Sequence, residues 1–424
     1  MTPERKQQWS WACYDWANSA FATTVLVGLF PLFFNSYYAK GLDGGATTFY
    51  LGAYGNSLPS FVIMLLAPGL GVLADRRGWK KRLLALFTVL GASSTAGLMF
   101  VGEGQWQWAI ALFALAGIGF FGGLGFYDSL LVNVARPEQQ DRVSALGYGL
   151  GYLGGGLLFV LNVSMVQQPA WFGLANAAEA GKWAFLSVAV WWLLFSLPLF
   201  SGVRESPPRH DPAALGWSGI WATMKQIAGY PAVYTFLFAY WLYIDAVGTV
   251  ASMAVDFGMK LGFEPGALIK ALLIVQFVSF PAALVFGRIG ERLGAKRGLY
   301  LGLSIYIAVT VWALSMRTEQ DFYLMAAAVG LVQGGVQSLS RSYYARLIPK
   351  QSAGQFFGFY NMLGKFAAVL GPLVVGATAR LTGNPRLAIF ALVFFFIAGM
   401  LLLSRVRPPA GGGGAVDTGL SEAK

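Results

Sequence analysis

Along this chain, apolar runs alternate with short clusters of charge, glycine and proline. Uncharged stretches such as Leu83–Gly102 reach the length of about 20 apolar residues that one α-helix needs to cross a bilayer. This punctuation predicts six helices over 14–38, 47–73, 83–102, 106–134, 143–166 and 182–202. Six more follow over 231–254, 267–290, 298–316, 321–345, 356–378 and 386–404. The expected fold is therefore all-α and integral to a membrane, with 12 transmembrane helices in two six-helix, pseudo-symmetric halves, 1–203 and 230–404. The joining segment, 204–229, opens with proline and charge. Its Trp217, Ile220, Trp221, Met224 and Ile227 fall at helical spacing, predicting an amphipathic helix on the membrane surface. The glycine-rich stretch 405–424 is expected to be disordered.

Composition narrows the class. Of 424 residues, 56% are hydrophobic and only 12% charged, against roughly 25% in a soluble domain. One cysteine, Cys13, and one histidine, His210, exclude an internal disulfide and a soft-ligand metal site. The net charge of +11 invites a nucleic-acid reading, but the positive residues sit in loops between spans. Of the 30 Lys and Arg, 22 lie in segments on the side of the termini, seven on the other side, and Lys365 within a span. That asymmetry predicts both termini in the cytoplasm and, in a bacterium, an inner-membrane protein. No nucleic-acid partner is expected. No cleavable signal peptide is expected either, so the first span acts as its own insertion signal.

The halves repeat. Residues 71–82 read GVLADRRGWKKR and 287–297 read GRIGERLGAKR, each between the second and third span of its half. The shared positions are Gly71, Asp75, Arg76, Gly78 and Lys80, and Gly287, Glu291, Arg292, Gly294 and Lys296. This doubled loop resembles the signature of the major facilitator superfamily, over essentially the whole chain from Tyr14 to Leu403. Further strings resemble the autophagy-related vacuolar effluxer branch and its bacterial relatives. They are Tyr14-Asp15-Trp16-Ala17-Asn18-Ser19, Phe126-Tyr127-Asp128-Ser129, Gly147-Tyr148-Gly149-Leu150-Gly151, Gln337-Ser338-Leu339-Ser340-Arg341 and Phe356-Phe357-Gly358-Phe359-Tyr360. The seventh span departs, reading Tyr243-Ile244-Asp245-Ala246 where the branch shows Tyr-Asn-Asp-Gly. The resemblance implies alternating access around a cavity lined by helices 1, 4, 7 and 10, with amino-acid release as the eukaryotic relatives' role.

Charge inside an apolar span is costly, which makes it a functional hypothesis. Asp15, Asp128 and Asp245 are the acids in or near span interiors. Asp15 is either a helix-end anchor or a cavity residue. Asp128 and Arg341 lie at matched depth in repeat-related helices, so they are expected to pair and close the cytoplasmic side. Gln333, Gln337 and Arg341 recur every four residues as one polar stripe. Lys365, one turn after Asn361, either snorkels to the inner surface or serves as counter-ion for Asp128, Asp245 or a substrate carboxylate. Tyr14 and Asn18 give the first helix a polar face, Asn56 adds an amide in the second, and Tyr127 and Tyr243 adjoin the acids. Asp75 and Glu291 are expected to gate by pairing with bases or facing a helix N-terminus; the plain alternative for this loop is topology and lipid binding.

With no nucleotide motif and no catalytic constellation, the expectation is a monomeric, gradient-driven secondary transporter, not an enzyme and without a cofactor. Its partners would be a small polar solute (an amino acid or short peptide first), the bilayer, and protons taken up at Asp128 and Asp245. Transport of other metabolites or drugs, or a non-transporting receptor on the same fold, remains an alternative.

Overall fold

The computed structural model describes residues 1–207, 225 and 227–407. Trp217, Ile220, Trp221 and Met224 of the expected surface helix lie outside the described residues, as does the tail beyond Arg407. All twelve expected crossings are present. They are α1 (Pro3–Tyr38), α2 (Gly44–Arg77), α3 (Lys80–Phe100), α4 (Trp106–Val134), α5 (Pro137–Gln167) and α6 (Ala177–Gly202). The second set is α7 (Pro231–Lys260), α8 (Pro265–Leu293), α9 (Ala295–Ser315), α10 (Glu319–Leu347), α11 (Lys350–Thr382) and α12 (Arg386–Arg405).

Several helices run past the apolar stretch that predicts them, because capping rather than hydropathy sets their ends. The first span is expected from 14, but α1 starts at Pro3. The Thr2 hydroxyl accepts the Arg5 N–H, and Pro3 occupies the first turn, where a missing N–H costs nothing. Its added turns carry polar residues that find polar partners: Gln8 Nε2 donates to Gln139 Oε1 at 2.9 Å. α10 opens with a reciprocal cap between Thr318 and Asp321. Gly78 ends α2 at φ 62° and Gly294 precedes α9 at φ 89°, so both motif glycines hold a left-handed backbone that other residues resist.

Packing repeats at an offset of six helices. α1 packs on α5 and α6 as α7 packs on α11 and α12. α2–α4, α3–α4 and α3–α6 are echoed by α8–α10, α9–α10 and α9–α12. The halves meet along α2–α11 and α5–α8, themselves exchanged by the same operation. The start of α1 and the end of α12 share one end of the bundle, where Arg136 meets Glu4 at 3.4 Å and Lys296 Nζ donates to the Val406 carbonyl at 2.9 Å. Toward the other end, Phe21–Leu29 and Phe34–Tyr38 of α1 and Leu51–Ser57 of α2 wind in wide i→i+5 turns, a rare geometry.

Candidate functional site: a buried ion network beside a closed helix gate

Asp128 sits in the last turn of the straight part of α4, which ends at Ser129. A carboxylate beside a helix C-terminus adds to the negative end of the macrodipole, so the position calls for a cation. Arg341, only 1% exposed on α10, supplies it across the interface between halves. One terminal nitrogen donates to Asp128 Oδ1 at 3.0 Å and the other to Asp15 Oδ2 at 3.2 Å. Nε donates to Ser144 Oγ and the second nitrogen also reaches the Ser144 carbonyl, both at 2.9 Å. The guanidinium lies over the rings of Tyr148, Trp11 and Tyr127, at 4.2, 4.7 and 5.3 Å.

Each carboxylate also accepts a bond from a neutral side chain. Tyr127 donates to Asp15 Oδ2 at 2.7 Å, and Asn361 on α11 donates to Asp128 Oδ2 at 3.1 Å. Tyr14 shares a hydrogen bond with Thr88 and packs its ring 4.9 Å from that of Tyr127. Gly147 is where α5 lets this network form: a Cβ there would lie 2.5 Å from Asp15 Oδ2 and 3.1 Å from the guanidinium. Six of the sequence-derived candidates thus converge: Tyr14, Asp15, Tyr127, Asp128, Arg341 and Asn361. Asp15 is no helix-end anchor, because α1 starts twelve residues before it.

The other candidates lie elsewhere. Gln337 accepts from Tyr152 at 2.7 Å, and Gln333 meets the same hydroxyl. Tyr243 shares a hydrogen bond with Ser340 at 2.7 Å. Asp245 contacts α11, not Arg341: its Oδ2 accepts the Gly371 N–H at 2.8 Å. Asn18 is buried, and its amide nitrogen has no partner among the described residues. Asn56 is exposed and donates only to the Leu51 carbonyl of its own helix. Lys365 does not snorkel to the surface. It stands fifteen residues into α11, about 22 Å along the axis, with its ammonium 3.2 Å from the centre of the Phe121 ring. No carboxylate pairs with it among the described residues.

At the end bearing the termini, Asp75 closes the bundle. Its Oδ1 accepts the Gly354 N–H at 2.9 Å and its Oδ2 the Gln355 N–H at 2.8 Å, while Lys80 Nζ lies 2.9 Å from Oδ1. Ser352 makes no side-chain cap for the α-helical run beginning at Ala353, so Asp75 caps that helix from the opposite half. Gly71 permits the approach, since a Cβ there would lie 2.4 Å from the Gly354 carbonyl oxygen.

The second motif copy does not mirror the first. Glu291 caps no helix; it only meets Arg142 at 3.8 Å, half exposed. Arg292 is exposed, and Lys296 instead binds the carbonyls of Ser404 and Val406 at the end of α12. The buried acid near this position is Asp141 of α5, which accepts from Ser342 Oγ and from Arg346 at 2.8 Å. It packs directly against Gly290, where a Cβ would sit 2.9 Å from its carboxyl carbon. Sequence reasoning passes over Asp141, Trp11, Ser144 and Tyr148. The signal available for Asp141 was its place two residues before the expected span 143–166, which reads equally well as a solvated helix start.

Comparisons with known proteins agree with this architecture. The family described as vacuole effluxer Atg22 like matches residues 45–411. An MFS-type transporter of Bacillus subtilis, YxiO, is 38% identical over 406 residues, covering 95% of each chain. Autophagy-related protein 22 of Yarrowia lipolytica is 25% identical over 296 residues, 62% of this chain and 49% of that one, so this chain spans about half of the fungal relative. In shape, the human organic anion transporter MFSD10 matches with a TM-score of 0.78 at 17% identity, covering 95% of this chain and 100% of its own. The transporter FucP in its outward conformation matches at 0.71 and 13%, covering 96% and 99%. With a family match over most of its length and a close bacterial relative end to end, the chain belongs to the Atg22-like family of major facilitator superfamily transporters.

Proposed function

We propose that the chain moves a small polar solute, an amino acid or short peptide first, by alternating access in a proton-coupled efflux cycle. The halves 1–203 and 230–404 would rock about the buried network as two bodies. The observation that carries this reading is Arg341. A single side chain of one half is bound to two acids of the other, in bonds that substrate can compete for. Asp75 makes the same kind of reversible bond at the neighbouring helix end. Lysine and arginine distribution favours the cytoplasmic side for that closed end and for both termini, which in a bacterium is the inner face of the inner membrane. A monomer suffices, since both halves of the site come from one chain.

Charge points to the cargo. Two acids share one arginine, which leaves the network one negative charge in excess when both are ionised. Lys365, one turn beyond Asn361, is a cation without an acid. A solute carrying both an ammonium and a carboxylate complements the two.

Thermal stability of the detergent-purified chain against a panel of amino acids, dipeptides, sugars and nucleosides tests this. A ligand at 100 times its Kd stabilises by about 2.7 kcal/mol. The expected result is a hit among the amino acids or dipeptides that is lost in Lys365→Gln and Arg341→Gln. Hits confined to sugars or nucleosides would overturn the cargo reading. Transport surviving intact in both Asp128→Asn and Arg341→Gln would overturn the gate.

A further inference from the structure

Asp245 lies fourteen residues beyond Pro231, about 21 Å into α7, and is 1% exposed. Its Oδ2 takes the Gly371 N–H, immediately before Pro372, whose missing N–H interrupts the ladder of α11. Its Oδ1 meets the geometry of a hydrogen bond with no partner among the described residues, and Thr249 is its polar neighbour. Thr249 Oγ1, one turn further along α7, is buried as well, and neither oxygen has a hydrogen-bond partner. Both press on the same point of α11: a Cβ on Gly371 would lie 2.0 Å from Thr249 Oγ1 and 2.8 Å from Asp245 Oδ1.

No lysine or arginine pairs with Asp245 among the described residues. The titratable groups of the packed helices are engaged elsewhere. On α7, Tyr240 stacks on Tyr360 of α11, and Tyr243 bonds to Ser340 of α10. On α10, Arg341 holds Asp15 and Asp128. On α11, Lys365 lies over Phe121, and Arg380 is nine residues beyond Gly371. α12 brings Gly399 against Tyr243 and has its two charges, Arg386 and Arg405, at its opposite ends.

An ionised carboxylate here would be a charge in the middle of the span with one backbone N–H and no cation to answer it, a costly state. A proton on Oδ1 removes that charge and still lets Oδ1 pair with Thr249 Oγ1, now as the donor.

We propose that Asp245 is the proton-binding site of this transporter, occupied in the closed state seen here and emptied when α11 leaves α7 at Gly371–Pro372. The proton comes from water on one side and departs to water on the other, with no other bond changed. Asp15 and Asp128, held by a guanidinium, form the latch and stay ionised. This inference rests on the transporter reading and assigns its coupling step to one residue.

Infrared spectroscopy of the full-length chain in detergent tests it through the carbonyl stretch of a protonated carboxyl group, which requires no knowledge of the cargo. The expected band is present at neutral pH, disappears on alkalinisation, is absent in Asp245→Asn, and persists in Asp15→Asn and Asp128→Asn. Thr249→Val keeps the acid but weakens its hydrogen bond, so the band moves to higher wavenumber, and Thr249→Ser returns it. A band that survives Asp245→Asn, or is unmoved by Thr249→Val, overturns the proposal. So does a wild type without a band whose melting temperature rises with sodium but not potassium chloride, which would put a metal cation there. Any of these results would leave solute binding in the panel untouched. An empty panel with the band assigned to Asp245 would count against the cargo alone.

Discussion

Among single side chains, Arg341 carries the greatest energetic weight. Its guanidinium reaches Asp128, Asp15 and two atoms of Ser144 from one buried position, using the planar fork that distinguishes arginine from lysine. Removing one partner of a buried ion pair costs about 3–5 kcal/mol because the other charge stays behind. Arg341→Gln should therefore destabilise the chain by about that amount in denaturant titrations, and Arg341→Lys should recover little of it. Asp15→Asn/Asp128→Asn/Arg341→Gln should be more stable than Arg341→Gln alone, because no carboxylate is stranded. A triple variant as unstable as the sum of its single changes would contradict that account. The depth match of Asp128 and Arg341 was legible from the repeat. Trp11 was not, because it precedes the apolar run. Tyr148 sits inside a glycine string that carries the family resemblance but no sign of a cation beside it, and Ser144 contributes partly through its carbonyl, which leaves no trace in sequence.

At the scale of helices, the contrast between Asp75 and Glu291 is the more informative one. Their loops are alike in sequence, yet one acid is sealed against the N-terminus of a helix from the other half and the other is half exposed. Asp75→Asn should favour the state in which α2 and α11 part, read as a longer distance between spin labels on their ends. Glu291→Gln should change stability by less than about 0.5 kcal/mol, as a loosely paired surface acid does. Equal effects would show that the asymmetry is irrelevant to gating. A sequence repeat predicts that two loops share a glycine at positive φ, as Gly78 and Gly294 do. It does not predict which acid will find a helix end, since that depends on residues contributed by the other half.

A second loop contact carries a pH signature. Glu205, just after α6, accepts the N–H groups of Lys80 and Lys81 at 3.1 and 2.7 Å, where α3 begins. Burial pushes the Glu205 carboxyl above its ordinary value, against the opposing pull of those N–H groups and of both lysine charges. The folded chain then holds this proton more tightly than the unfolded chain. Its contribution is greatest below the ordinary glutamate range and is lost as pH rises through the raised value. Melting temperatures should show the wild type losing ground to Glu205→Gln as the pH is raised. A difference that stays constant with pH would rule this out.

For the whole molecule, twelve crossings and their pseudo-symmetry were written in the hydropathy and in the doubled loop. Helix ends were not, because capping groups such as Thr2 and Asp75 are polar and one of them acts from another part of the chain. Nor was it legible that Asp245 stands apart from the Arg341 network, as hydropathy gives depth along a helix but not the face it turns to its neighbours. What emerges is a division of labour between an ionised latch joining the halves and a lone acid within the C-terminal half. In the proposed cycle the two would respond to different stimuli, solute for one and proton for the other, and α11 touches both through Asn361 and Gly371.

The Arg341 network also constrains how the protein is made. Asp15 leaves the ribosome 326 residues ahead of its arginine. At about 5–20 residues per second of synthesis, the first helix waits roughly 16–65 s for the tenth. Tyr127, 112 residues behind Asp15, is the first of its partners to arrive. Until α10 inserts, the nascent N-terminal half must keep two unneutralised carboxyl groups in contact with water or with the insertion machinery. Its final burial is therefore an act of assembly between halves, completed only late in translation.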